Sequence, residues 1–276
     1  MKDRLIIVRG GGDLATGTIH RLWSVGLPVL VLETAHPAAI RRQVSICEAV
    51  YDGQTVVEGM RGIRIHHWKE AFDIMEEGNV PVLVDPMGEV IQKMRSRVVV
   101  DAILAKKNLG THREMAPLTI ALGPGFEAGK DVDVVIETKR GHDLGRVIRK
   151  GCAIPNTGIP GMIGGYASER VIHSTQSGIF HNICKIGDIV NVGEEIAWIE
   201  QSDESRCPVL ASIPGILRGL LREGYSVPRG FKIADIDPRK EELSHCFTIS
   251  DKARCIAGSV LEVVVSDFDR KIFFDR

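Results

Sequence analysis

The chain has 276 residues, with 35 Lys and Arg against 36 Asp and Glu, and a formal net charge of −1. It therefore carries no global field to draw nucleic acid or an anionic membrane surface. At 44% hydrophobic and 26% charged residues it has the make-up of a globular protein that builds a core without metal or disulfide help.

No apolar run approaches the roughly 18–20 residues needed to cross a bilayer. Met1-Lys2-Asp3-Arg4 leads straight into an apolar stretch without the h-region of a signal peptide. Six cysteines (Cys47, Cys152, Cys184, Cys207, Cys246 and Cys255) are scattered without a C-x-x-C pair, which fits neither a zinc site nor a disulfide framework. They read as reduced thiols of a cytoplasmic protein, used mainly in packing. No metal site is expected.

Leu5 to Val8 is a short apolar run, the mark of a strand buried on both faces. It runs into Gly10-Gly11-Gly12-Asp13-Leu14-Ala15-Thr16-Gly17. Gly10-x-Gly12-x-x-Ala15 fits the G-x-G-x-x-G/A turn, in which backbone N–H groups at a helix start hold a phosphate. Thr18 to Val25 has helical spacing, and Gly26 is a natural stop. Pro28 to Leu32 is a second strand. It ends in Glu33, 23 residues after Gly10, near the spacing at which a carboxylate meets ribose hydroxyls. Gly10, Gly11, Gly12, Asp13, Ala15, Thr16, Gly17 and Glu33 are therefore the candidate cofactor-binding residues. Asp13 departs from a plain dinucleotide turn: an acid repels phosphate unless it caps the helix, so capping and a chemical role stay open.

Pro37 to Ala49 and His67 to Glu77 read as helices. Ile63 to Ile65, Val80 to Val84 and Val98 to Val100 read as strands. Alternation of this kind implies a parallel sheet with right-handed crossovers, whose ligands gather at the carboxyl ends of strands. Asp85 and Asp101 stand at such ends, either facing that crevice or capping turns.

From Leu118 the texture turns glycine-rich. Leu118 to Leu122 and Val132 to Glu137 read as strands, with loops at Gly123 to Gly129, Gly141 to Gly145 and Pro155 to Gly161. His142, beside Asp143, is the candidate acid–base group, and Cys152 a candidate redox or sulfur-transfer thiol.

The second half carries an internal repeat at an offset of 37 residues. Gly178-Ile179 matches Gly215-Ile216; Gly187, Val190 and Gly193 match Gly224, Val227 and Gly230; Ile196-Ala197 matches Ile233-Ala234. The pattern resembles the barrel-sandwich hybrid of biotinyl and lipoyl carrier domains. The hairpin that bears the carrier lysine, here Gln201 to Arg206, has no lysine, so no lipoyl or biotinyl attachment is expected. Ile249 to Phe268 closes the chain as an amphipathic helix.

The expected fold is α/β: a Rossmann-like parallel-sheet domain over 1–115, a glycine-rich connector over 116–170, a small all-β barrel-sandwich-hybrid-like repeat domain over 171–240 and a C-terminal helix over 241–276. Arg9 to Gly17, Ala39 to Arg42, Glu48 to Tyr51, Gly123 to Phe126, Gly141 to Arg146, Pro155 to Gly161 and Asp235 to Arg239 together resemble the YqeB-type accessory proteins of selenium-dependent molybdenum hydroxylase systems. The nucleotide-type domain is similar to XdhC-like molybdenum cofactor maturation factors. The resemblance implies a role in maturing a molybdenum hydroxylase, with that enzyme or its other maturation factors as partners. The ligand would be nucleotide-bearing, NAD(P) or molybdopterin dinucleotide. An NAD(P)-dependent oxidoreductase using His142, and a non-catalytic docking protein, are the alternatives. A homo-oligomer is compatible with all three.

Overall fold

The structure is a computed structural model and describes residues 2–156, 158 and 161–274, with the backbone alone for Lys2 and 269–274. The chain divides into two compact units, one of residues 1–37, 45–157 and 249–276, the other of 38–44 and 158–248.

The first unit is built on β1 (Ile6–Arg9), which leads into α1 (Asp13–Ser24) and β2 (Val29–Glu33). There follow α2 (Ala49–Asp52), β3 (Gln54–Val57), β4 (Met60–Ile65), α3 (Ala71–Glu76), β5 (Val80–Val84), α4 (Val90–Met94), β6 (Val98–Asp101) and β7 (Leu118–Leu122). β8 (Glu127–Ala128), β9 (Val134–Ile136), β10 (Val147–Ile148) and β11 (Gly151–Cys152) complete its strands. Nine of these form one sheet in the order β10-β9-β7-β6-β1-β2-β5-β4-β3. The centre is parallel, whereas β3 pairs β4 and β10 pairs β9 antiparallel.

β1, β2, β6 and β7 are almost wholly buried, as their continuous apolar runs require when both faces are covered. Ile6 and Val8 point to one face, where Ile19 and Leu22 of α1 join Ile256, Val260 and Val264. Those last residues belong to the long C-terminal helix, Asp251–Phe274. Leu5 and Ile7 point to the opposite face, packed with Ala71 of α3 and Ile91 and Met94 of α4. Gly17 permits close packing of α1 on the C-terminal helix. A Cβ added there would lie 2.7 Å from the Cβ of Ala253.

The second unit contains β12 (Val171–His173), β13 (Gly178–Asn182), β14 (Ile189–Val190), β15 (Glu195–Glu200), β16 (Arg206–Leu210), β17 (Gly215–Leu220), β18 (Tyr225–Val227) and β19 (Lys232–Asp237). They make two four-stranded antiparallel sheets, β12-β19-β17-β14 and β16-β15-β13-β18. β13 to β15 and β17 to β19 are the two copies of the 37-residue repeat. The copies exchange partners: β13 pairs β18 and β17 pairs β14. Phe180, Ile196 and Ile199 from one copy and Leu217, Ile233 and Ile236 from the other share one core.

Several expectations are corrected. The fold is not a parallel Rossmann-like domain joined to a barrel-sandwich-hybrid-like one. The large sheet is mixed, because the turn between Val57 and Met60 folds β3 back on β4 and the glycine-rich stretch adds the antiparallel β10. The small strands form two discrete antiparallel sheets.

Residues 116–156 are not a connector, since β7 and β9 continue the parallel array. The segment 241–276 is also divided, with a 3₁₀ helix over Lys240–Phe247 in the second unit and the long helix in the first. Pro37 to Ala49 is not one helix but two 3₁₀ turns, Arg42–Val44 and Ile46–Glu48. His67 to Glu77 splits into a 3₁₀ turn and α3. In the Pro155 to Gly161 motif, Thr157, Ile159 and Pro160 lie outside the described residues.

Candidate functional site

The glycine turn connects β1 to α1 as its sequence implies. Gly10 has φ +95°, and a Cβ there would meet the carbonyl oxygen of Ala102 at 2.9 Å, so only glycine fits. Gly12 is the N-cap in an extended conformation, with open space where a side chain would be. Ala15 is fully buried against the sheet.

The amide that the motif would offer to a phosphate is already used. Glu33 Oε2 accepts the Gly11 N–H at 2.7 Å, and its Oε1 accepts the Thr34 N–H at 2.7 Å. Burial pushes the Glu33 carboxyl above its ordinary range, and the two amide hydrogen bonds oppose that shift. An internal carboxylate thus stands at the anion position of the turn. Asp13 begins α1 and its Oδ1 accepts the Leu14 N–H at 2.9 Å.

Thr16 ties a second segment across the turn. Its hydroxyl lies 3.1 Å from the Gly11 carbonyl and 2.8 Å from the Gly12 carbonyl, and it accepts the Ile46 N–H at 2.9 Å. The Cys47 N–H donates to the Gly11 carbonyl at 2.9 Å. Cys47 is buried, and burial together with the carboxylates of Glu33, Glu48 and Asp13 pushes its thiol well above the usual range, which suppresses the thiolate. Thr16→Val should cost about 1–3 kcal/mol in denaturant unfolding, because buried amide and carbonyl groups lose their partner. A loss below about 0.5 kcal/mol would show that the bridge does not hold the segment.

β1 is also where the strand order reverses, with β2 on one side and β6 on the other. Open α/β sheets take ligands at that point, at the carboxyl ends of the strands. Here Arg9 and Asp101 are in register at those ends and nearly inaccessible. Thr111 Oγ1 donates to Asp101 Oδ2 at 2.5 Å, and Arg9 Nη1 donates to Thr111 Oγ1 at 2.5 Å. Arg9 Nη2 donates to the Pro86 carbonyl at 2.9 Å. Asp85 caps α4, accepting the N–H groups of Gly88, Glu89 and Val90. Both acids therefore serve turns and caps instead of lining an open crevice.

The two candidate catalytic residues are not brought together with a partner. His142 is exposed in a turn, and Cys152 is exposed in the β8–β11 pair. Among the described residues neither side chain takes part in a hydrogen bond or ion pair. No group of three or more His, Cys, Asp or Glu side chains is placed to share a metal ion, again among the described residues.

The large concavity lies at the opposite edge of the sheet, where β1, β6 and β7 begin. It encloses about 1120 Å³. Trp68, Phe72, Met94, Met115 and Phe268 form its apolar wall, and Arg4, Lys93, Arg95 and Arg97 its cationic part. Ser96, 1% exposed, is one of the residues lining it, and its hydroxyl has no hydrogen-bond partner among the described residues. Arg97 Nη2 holds Asp267 at 2.5 Å. Arg95 ends α4 in the left-handed region, with φ 50° and ψ 54°.

Sequence reading missed this site. Its polar residues stand just before three strands that are far apart in the chain, and its aromatic wall comes from other segments. The available signal was the cluster Lys93-x-Arg95-x-Arg97 before an apolar strand.

The fold and geometry define an α/β unit with a cleft at the amino ends of β1, β6 and β7, in a chain with a duplicated all-β unit. No family model matches the chain. It is similar to a protein of Escherichia coli (strain K12) described as "Uncharacterized protein YqeB": 47% identical over 262 residues, which is 95% of this chain and 47% of that protein. The chain spans about half the length of this curated relative.

Solved structures show weak likeness. The product-bound ectoine utilization protein EutE (DoeB) from Ruegeria pomeroyi is 11% identical, covering 84% of this chain and 57% of that one, with a TM-score of 0.24. A succinylglutamate desuccinylase/aspartoacylase from Rhodobacter sphaeroides is 14% identical, covering 84% of each chain, with a TM-score of 0.29. An aspartoacylase family protein from Mesorhizobium loti gives 13%, 84% of each chain and 0.30. Overlaps of this size carry neither fold nor activity across.

The expected role in molybdenum hydroxylase maturation is corrected. The sequence relative is described as uncharacterized, and the solved structures overlap too weakly to lend any activity. Neither the selenium nor the molybdenum link, nor the hydroxylase partners, finds support in them. The nucleotide reading finds no support in them either, and the Gly11 amide of the turn is taken by Glu33. His142, the acid–base group of the oxidoreductase alternative, is exposed and makes no hydrogen bond or ion pair among the described residues. No described helix is long and apolar enough to cross a membrane.

Proposed function

We propose that the protein binds a small organic molecule in the cleft at the amino ends of β1, β6 and β7. One observation carries this reading: a concavity of about 1120 Å³ whose lining includes Ser96, with a fully covered hydroxyl that has no partner among the described residues. Ligand pockets combine apolar walls with a few polar groups that fix orientation. A buried hydroxyl without a partner costs stability unless a ligand or water completes it. Trp68, Phe72 and Met115 pack on the core cluster of this face, so the apolar wall is held by the sheet.

Titration calorimetry with N-phenylnaphthylamine, a neutral aromatic probe, tests the reading. Binding is expected to the intact protein. It should be lost in Ala116→Trp, which fills the cleft from a residue that lines it. Circular dichroism of that variant should stay unchanged. Absence of probe binding, or equal binding by a folded Ala116→Trp protein, would overturn the proposal.

A further inference from the structure

From the charge distribution in this cleft we infer that its ligand is an amphipathic anion, an aromatic or alkyl group carrying a carboxylate, sulfate or phosphate. This rests on the reading that the cleft binds a small molecule, and adds its chemical class. Four cationic side chains line the cleft, Arg4, Lys93, Arg95 and Arg97, against two acidic ones, Asp3 and Glu114. Arg97 is committed to Asp267, and Glu114 has His112 at 3.5 Å. Among the described residues Arg4, Lys93 and Arg95 enter no ion pair.

Arg4, Lys93 and Arg95 thus share the cleft with two carboxylates, Asp3 and Glu114, beside an aromatic wall, which leaves cations in excess. Each of the three cations is exposed enough to stay solvated when the cleft is empty and can swing toward an anion on entry. Arg95 is held in left-handed backbone by the hydrogen bond of its N–H to the Ile91 carbonyl at 3.0 Å. That conformation is costly for a non-glycine residue. The wall of Trp68, Phe72 and Phe268 suits a flat or extended apolar body.

The test compares two probes that share one aromatic body, neutral N-phenylnaphthylamine and its sulfonated counterpart anilinonaphthalene sulfonate, on the full chain. Calorimetry should give the sulfonate about tenfold tighter binding at low salt, with the gap narrowing as salt rises. The triple variant Arg4→Gln, Lys93→Gln, Arg95→Gln should bring the two probes to within about twofold of one another.

If the neutral probe binds and the sulfonate is no tighter, the anionic class falls while the small-molecule reading stands. A sulfonate preference that survives the triple variant, checked for its fold by circular dichroism, also overturns the class. Binding of neither probe overturns both.

Discussion

Gly178→Ala and Gly215→Ala should each destabilise the second unit by about 3 kcal/mol or more in denaturant unfolding. These are equivalent positions in the two copies of the repeat, and their surroundings match. A Cβ at Gly178 would lie 2.1 Å from the Glu200 carbonyl oxygen, and one at Gly215 would lie 2.3 Å from that of Asp237. Glu200 and Asp237 are themselves 37 residues apart. Both obstacles are backbone atoms inside a paired strand, β15 in one case and β19 in the other. Relief therefore requires opening the ladder.

Gly193→Ala is the control. Its φ is +80°, but nothing lies within 4 Å of the added atom, so a cost of about 1–2 kcal/mol from backbone conformation alone is expected. If Gly178→Ala or Gly215→Ala costs no more than this control, the close strand approach is not what holds the repeat together.

Asp101→Ala is expected to cost about 3–5 kcal/mol, because it leaves the guanidinium of Arg9 buried without its carboxylate. Arg9 and Asp101 side chains are 2% and 3% exposed and 3.9 Å apart, bridged by Thr111. Asp101→Asn should cost clearly less, and its deficit should depend on pH. Burial raises the Asp101 carboxyl above 3.8, while Thr111, Arg9 and the Ile103 amide pull it down.

A carboxyl raised in the folded state binds more protons folded than unfolded. Its contribution to stability is full below pH 3.8 and declines as pH rises through the folded-state value. The Asn variant has no such decline. The gap between wild type and Asp101→Asn should therefore narrow as pH climbs from 3.8, as read by unfolding at several pH values. A gap that widens over that range would mean that the folded carboxyl is held below its ordinary value and that Arg9 dominates the site.

Local signals in the chain correspond closely to local structure. The apolar runs Leu5 to Val8, Val80 to Val84 and Val98 to Val100 are strands, because continuous apolar side chains suit a sheet covered on both faces. Gly26 ends α1 with φ +79°, and the amphipathic spacing from Ile249 corresponds to the long C-terminal helix. The repeat at 37 residues was legible because identical glycines meet identical backbone obstacles. β3 was not, since Gln54 to Val57 is short and mostly exposed and has meaning only beside β4. Pro37 to Ala49 has helical spacing, yet the chain passes from one unit to the other within it.

By itself the sequence determined the strand–glycine–helix start of the chain, most of the parallel strands and the duplication in the second half. These depend on the periodicity of neighbours and on backbone freedom, which are written locally. Only the tertiary structure decided what the glycine turn does. The motif specifies free amides at a helix start, but whether a phosphate can reach them depends on Glu33, 22 residues beyond Gly11, whose carboxylate sits 2.7 Å from the Gly11 nitrogen. The cleft at the other edge was likewise decided in three dimensions. Arg4, Arg95 and Met115 face one cavity because β1, β6 and β7 lie side by side. Strand order is set by the packing of the whole sheet, not by any one segment.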